Sequence, residues 1–140
     1  MKNLANCKPS EFLKQTNRLR KSAAKWLDAT QVLAIRKDLP KLKPLLGDEE
    51  EKAAIRRENE AAIKAKVREN VDKMLDAALD EHADETLELL ALACFVEPSD
   101  VDNHEIGEYL QALGEMLANE AVLSFFTSLA RLGQSDIFNT

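Results

Sequence analysis

The chain has little with which to make turns or cross-links. Its 140 residues include four Gly, four Pro and two Cys, and aromatic residues make up 5% of the sequence. A many-stranded sheet needs turn residues at every hairpin, so this scarcity argues against one. The β-branched residues Val, Ile and Thr are few, whereas Leu and Ala supply 40 positions. Straight-chain residues and Ala favour helix. The expected fold class is all-α, with about six helices in a single domain. Cys7 and Cys94 are too few and too far apart for a disulfide framework and are expected to be free thiols, Cys94 in the core. No apolar run follows Met1-Lys2, and none approaches the roughly 20 residues of a membrane span. A protein of a reducing, cytoplasmic compartment without a membrane partner is the expectation.

Charge is present but unevenly placed. Residues 1–47 carry eleven Lys/Arg against three Asp/Glu, a net of +8. Residues 48–73 carry seven against eight, and residues 74–140 carry Arg131 against fourteen acids, a net of −13. The overall −6 conceals this split. One end should seek acidic surfaces and the other should repel nucleic acid.

Periodicity places the elements. Pro9-Ser10-Glu11 reads as the start of a first helix over about 11–27, with Ser10 as its cap. Phe12, Leu19 and Trp26 form its apolar stripe and Lys14, Arg18, Lys21 and Lys25 its basic face. Thr30 is expected to cap a short second helix burying Val32, Leu33, Ile35 and Leu39, which Pro40 stops. These elements make a basic N-terminal helical arm over 1–39. Residues 40–47, PKLKPLLG, read as a linker. Asp48 and Glu51 have capping-box spacing and open a long charged helix over about 48–80. A joint is expected at Asp80–Asp84. Asp84 then caps a buried helix over about 85–96, ended by Pro98. Asp102 and Glu105 read as a capping box for a helix over about 104–118. Asn119 caps a sixth over 120–132, which Gly133 stops, and residues 134–140 fray. Residues 48–133 thus hold the long helix and a compact C-terminal core, in which Leu113, Leu117, Phe125 and Leu129 are expected to pack against Leu90 and Cys94.

Catalytic chemistry finds no support in the motifs, and no catalytic, cofactor-binding or metal-binding residue is assigned. His104-Glu105-Ile106-Gly107-Glu108 lacks the second His of a zinc-protease helix. Neither His82 nor His104 has the Glu three residues before it that a di-iron bundle needs, since those positions are Leu79 and Val101. Asp100-Val101-Asp102-Asn103 lacks the central Gly of a calcium loop. The four glycines are isolated, so no phosphate cradle forms. The residues singled out for binding a partner are therefore the two charged rows: Lys14, Arg18, Lys21 and Lys25, against Asp76, Asp80, Asp84 and Glu88. Meeting between copies head to tail, they would give a homo-oligomer. Nucleic acid is not the expected partner of a chain with so few stacking aromatics and no recognition motif.

Two stretches carry a family resemblance. One is Leu4-Ala-Asn-Cys-Lys-Pro-Ser-Glu-Phe-Leu-Lys-Gln-Thr-Asn-Arg-Leu-Arg-Lys, leading to Trp26-Leu27. The other is Leu90-Ala-Leu-Ala-Cys-Phe-Val-Glu-Pro, then Glu108-Tyr-Leu and Asn119-Glu-Ala-Val-Leu-Ser-Phe-Phe-Thr-Ser-Leu-Ala-Arg-Leu. Together they resemble small helical phage and prophage proteins of the tail assembly chaperone type. The resemblance implies a non-enzymatic protein that coats apolar helical segments of a tape-measure-type protein and assists tail assembly in a bacterial cell. The alternative expectation is a phage regulatory protein touching nucleic acid through the basic first helix.

Overall fold

A computed structural model describes the backbone of residues 1–139 and the side chains of residues 1–132. Among the described residues the chain is all-helical and holds no strand. The α-helices are α1 (Pro9–Thr30), α2 (Val32–Lys37), α3 (Glu49–Asp76), α4 (Ala83–Ala93), α5 (Ile106–Ala118) and α6 (Glu120–Asn139). A π-helical turn, Ala77–Glu81, follows α3, and a 3-10 turn, Pro98–Asn103, precedes α5. The chain divides into two compact units. The first comprises Met1–Ala23 with Leu87–Thr140, and the second Ala24–Thr86. The expected arm of 1–39 is therefore split, its first 23 residues belonging with the C-terminal helices.

The first unit has a small, dense core of Leu4, Ala93, Cys94, Tyr109, Ala112 and Met116, with Phe12, Leu19, Leu90 and Phe126 packed against it. Tyr109 is 2% exposed, and its hydroxyl donates to the Val101 carbonyl at 2.8 Å, which ties the 3-10 turn to α5. Burial, reinforced by nearby acidic groups, raises the Tyr109 phenol above its ordinary pKa. Burial likewise raises the Cys94 thiol, which keeps it protonated and unreactive. The N-terminal segment joins this core by hydrogen bonding. Asn3 is fully buried. Its Oδ1 accepts from the Ala5 amide at 2.7 Å, and its Nδ2 donates to Glu115 Oε2 on α5 at 2.8 Å.

Local chemistry explains the helix ends, with several departures from expectation. Pro9, not Ser10, takes the start of α1, where its missing N–H costs nothing, and Glu11 accepts from the Lys8 amide at 3.1 Å. Thr30 closes α1 instead of capping α2, because its hydroxyl donates back to the Trp26 carbonyl at 2.8 Å. Gln31, left-handed at φ 56°, makes the joint. The short α2 buries none of its residues fully: Val32 and Ile35 are half-buried and Leu33 and Leu39 exposed, so the expected apolar side is only partly covered. The capping box of α5 is Glu105 with Glu108, one turn later than Asp102 with Glu105, because Pro98 starts a tight turn that consumes Asp102. Helix α4 ends in a Schellman turn: Val96 N–H donates to the Ala91 carbonyl at 2.9 Å and Phe95 is left-handed at φ 57°. Asp48 and Asn119 cap α3 and α6 as expected. Helix α6 runs through Gly133 to Asn139, since a lone Gly costs a helix only about 1 kcal/mol and no Pro follows it. Thr140, the last residue of the expected frayed tail, lies outside the described residues.

In the second unit the joint between α3 and α4 falls at the π turn and at His82, where the backbone leaves helical angles (φ −126°, ψ 42°). The Thr86 hydroxyl donates to the Ala78 carbonyl at 2.5 Å, also lies 3.1 Å from that of His82, and accepts from Trp26 Nε1 at 2.9 Å. One threonine hydroxyl thereby satisfies the Ala78 carbonyl in the π turn and holds the Trp26 end of α1 to the joint, while the Thr86 amide serves the His82 carbonyl at 3.2 Å.

The linker is clamped to α3. Asn59 brackets Lys43, its Oδ1 accepting from the Lys43 amide and its Nδ2 donating to the Lys43 carbonyl, both at 3.0 Å. Asn70 Nδ2 donates to the Asp38 carbonyl at 2.7 Å, and Lys66 pairs with Asp38 at 3.1 Å. The spacing is consistent with an extended segment running antiparallel to α3. Five extended residues at roughly 3.2 Å each and eleven helical ones at roughly 1.5 Å each both span about 16 Å. Hydrogen bonding and attraction to Lys43 lower the Glu58 carboxyl pKa, and the Asp38 hydrogen bond raises that of Lys66. A lowered carboxyl stabilises above the ordinary Glu range and loses that contribution as pH falls through its folded value. A raised Lys loses its contribution only as pH rises past the ordinary Lys range. Both pairs are therefore in force at neutral pH.

Two outcomes follow for stability. Tyr109→Ala should cost ~3–5 kcal/mol in chemical denaturation, and Tyr109→Phe only ~0.5–1.5 kcal/mol for the lost hydrogen bond. Asn59→Ala should accelerate hydrogen exchange at the Lys43 amide while the global melting temperature barely moves, because the clamp holds a surface segment. Unchanged exchange at Lys43 would contradict the clamp.

Candidate protein-binding surface

The apolar residues of α5 occupy a wider arc than its core can cover. Tyr109, Ala112 and Met116 point into the core and are buried. By 100° per residue, Leu113, Ile106, Leu117 and Leu110 continue the same arc, which spans roughly 160°. The second part of that arc is open: Ile106, Leu110 and Leu117 are exposed, Leu117 at 59%, while Leu113 is half-buried. Helix α6 is also only partly covered, with exposed leucines at both edges of its apolar arc and towards its C-terminal end. Val122 is buried and Phe125 and Phe126 half-buried, whereas Leu123, Leu129 and Leu132 are exposed, Leu129 at 39%.

The expected burial of Leu117 and Leu129 is thus overturned. A core cluster whose buried side chains include two Ala and a single Tyr is too small to cover both helices.

An open apolar trough of about 360 Å³ adjoins this pair. Leu4, Pro9 and Phe12 form one wall, and Val122 and Phe125 line the other. Phe12 and Phe125 meet edge to face, with centroids 5.0 Å apart, and Phe125 meets Phe126 in the same way at 5.8 Å. Cys7 also borders the trough; it is half-buried, with its thiol 3.8 Å from the Leu4 carbonyl. Apolar walls with few polar groups suit the apolar face of a helix, and offer nothing to hold a charged metabolite.

The charged rows singled out from sequence lie elsewhere. Lys14, Arg18, Lys21 and Lys25 are all exposed on α1. Arg18 is engaged within the chain, its guanidinium donating twice to the Glu97 carboxylate at 3.2 and 3.1 Å. Asp76 closes α3, Asp80 lies in the π turn, and Asp84 and Glu88 sit one turn apart on α4. The break at His82 stands between the two pairs, so the four carboxylates do not share the single helical register that their spacing suggests. Lys25 and Glu88 each take part in further polar contacts. His82 and His104 are helix-end residues paired with Glu85 at 3.6 Å and Glu108 at 3.1 Å. Among the described residues no three His, Cys, Asp or Glu side chains converge as metal ligands, and no helix is long and apolar enough to cross a membrane.

The chain matches no protein-family model, and no curated protein or solved structure is significantly similar to it.

Sequence reasoning missed two features. The N-terminal segment depends on the Asn3–Glu115 bond, which no local pattern announces. The linker clamp did leave a signal: Asn59 and Asn70 lie eleven residues apart, three helical turns, and so share a face of α3 with the wrong propensity for helix. The open leucines make a direct prediction. Leu117→Ala should change stability by no more than ~0.5 kcal/mol, whereas a buried Leu would cost ~2–5 kcal/mol. A loss in the larger range would mean that Leu117 is covered in solution.

Proposed function

We propose that this chain is a non-enzymatic assembly chaperone of the phage-tail kind. It shields apolar helical segments of a tape-measure-type partner in the bacterial cytoplasm until the tail is built. The observation that carries this reading is the exposure of Leu110, Leu117, Leu123, Leu129 and Leu132 on helices that are otherwise well capped and packed. Exposed apolar rows of this extent mark interaction surfaces on soluble proteins. A holdase also needs charge to stay dispersed while its apolar face is open, and 31% of residues are charged. The competing reading, a regulator touching nucleic acid through α1, is weakened by the commitment of Arg18 to Glu97 and by the net charge of −6.

The test is co-expression with fragments of a tape-measure protein rich in apolar helix. The wild-type chain should keep such a fragment soluble and co-purify with it. Leu117→Ser combined with Leu132→Ser should abolish this without altering the melting curve. Equal activity of the double variant, or failure of the wild type, would defeat the reading. Duplex DNA should show no retardation at physiological salt, and a salt-resistant complex would favour the regulator.

A further inference from the structure

We propose that α3 pairs antiparallel with α3 of a second copy of this chain, through the row Ile63, Val67, Val71 and Leu75. These residues are spaced at i, i+4, so they form one continuous ridge along the helix. All four are exposed, between 36% and 49%. Nothing in the segment's own helical chemistry requires them. The charged residues and the Asp48 cap suffice to hold an α-helix, and apolar β-branched residues on a solvated face only weaken it.

The occupant is identified by the adjacent row. One residue further on at each step stand Lys64, Arg68, Asp72 and Asp76, again at i, i+4 and all exposed. The order is two bases, then two acids. In an antiparallel pair related by a two-fold axis, the same flank of each helix meets its own copy in reverse. Lys64 then faces Asp76 of the second copy, and Arg68 faces Asp72. The sums of these residue numbers are both 140, so one axis serves both pairs. The apolar row is centred almost identically: Ile63 opposite Leu75 and Val67 opposite Val71 both sum to 138. A single two-fold axis near residues 69–70 therefore aligns both rows. A parallel pair would stack Lys64 on Lys64 and Asp76 on Asp76, and like charges oppose that register. An acidic or a basic foreign helix would satisfy only half of the charged row. A second copy satisfies all of it.

This interface goes beyond the client-binding reading and uses different residues. It is isologous and closes as a dimer, in contrast to a head-to-tail chain built on the basic face of α1. Steps of i, i+4 on both helices favour a steep crossing, so the contact is confined to about three turns around the axis. A modest, concentration-dependent dimer is the expectation.

Cross-linking tests the register. In a Cys7→Ser background, chains carrying Ile63→Cys are mixed with chains carrying Leu75→Cys and oxidised gently. The mixed disulfide should form readily. Ile63→Cys alone should not link to itself, because antiparallel copies hold those positions roughly 18 Å apart along the axis, beyond the ~6 Å reach of a disulfide. Self-linking of Ile63→Cys would establish a parallel pair and overturn the proposal. Sedimentation across a concentration series tests the association itself. Val67→Glu should weaken the dimer by on the order of tenfold or more, with helicity by circular dichroism unchanged. Arg68→Asp should weaken it also, and adding Asp72→Arg should restore it. A wild-type monomer at every concentration, or no restoration by the charge swap, would overturn the proposal whether or not client binding is found.

Discussion

The burial of Tyr109 among Leu4, Ala93, Cys94, Ala112 and Met116 is the contact on which the first unit depends. Its ring is the largest fully buried side chain, in a core otherwise made of small or flexible ones. Its hydroxyl fixes the 3-10 turn, and that turn sets where α5 begins. Leu4 reaches the same cluster only because Asn3 is held to Glu115 on α5. The left-handed Phe95 ends α4 beside the cluster and brings Glu97 to Arg18. Sequence-distant segments thus converge on one aromatic residue.

A core that small leaves apolar surface uncovered. Helices α5 and α6 carry apolar arcs wide enough for two neighbours and receive one. The same imbalance recurs in the second unit, where Ala77 is the buried apolar residue and the linker leucines Leu39, Leu42, Leu45 and Leu46 are all exposed. There the organising contacts are polar: the Thr86 hydroxyl at the joint, the Asn59 and Asn70 amides along the linker, and ion pairs. Such contacts give direction and register but little net free energy each. Polar contacts therefore set the shape of the second unit, while its apolar residues remain available for association.

Much of the fold was legible because helix ends are decided locally. Asp48 with Glu51, Pro9, Pro98 and Asn119 each act within one turn of chain, and the structure uses every one of them. Some ends were misread between local alternatives: Pro9 starts α1 in place of Ser10, the Pro98 turn displaces the Asp102–Glu105 box, and Gly133 does not stop α6. Others are set by distant or backward bonds. Thr30 turns back to Trp26, Gln31 adopts a left-handed angle without a glycine to signal it, and the π turn depends on Thr86 several residues later. The candidate surface was legible only in part. Periodicity marked Leu117 and Leu129 as apolar-face residues, but whether such a face is covered depends on the size of the core, which no single helix encodes. The charged rows were visible as rows. Their partners were not, since Arg18 finds Glu97 in the segment just beyond α4.

Helix α3 joins these threads. A helix whose flanks are mostly solvated must hold itself by local terms, and it does: Asp48 caps it, three glutamates occupy its positive end, and Glu69 pairs with Lys66 and Lys73 within a turn. Hydrogen bonding to Lys73, with attraction from both lysines, lowers the Glu69 carboxyl pKa. Those terms make α3 a preformed strut, so a partner that docks on it has little ordering entropy to overcome. The clamp at Asn59, Lys66 and Asn70 holds the linker on one face of this strut. By 100° per residue, the row from Ile63 to Leu75 begins beside that face and turns away from it, so the linker does not cover it. A rigid helix with one face occupied by its own chain and another left apolar, bordered by a charge order that is its own complement in reverse, is suited to recognise a second copy of itself.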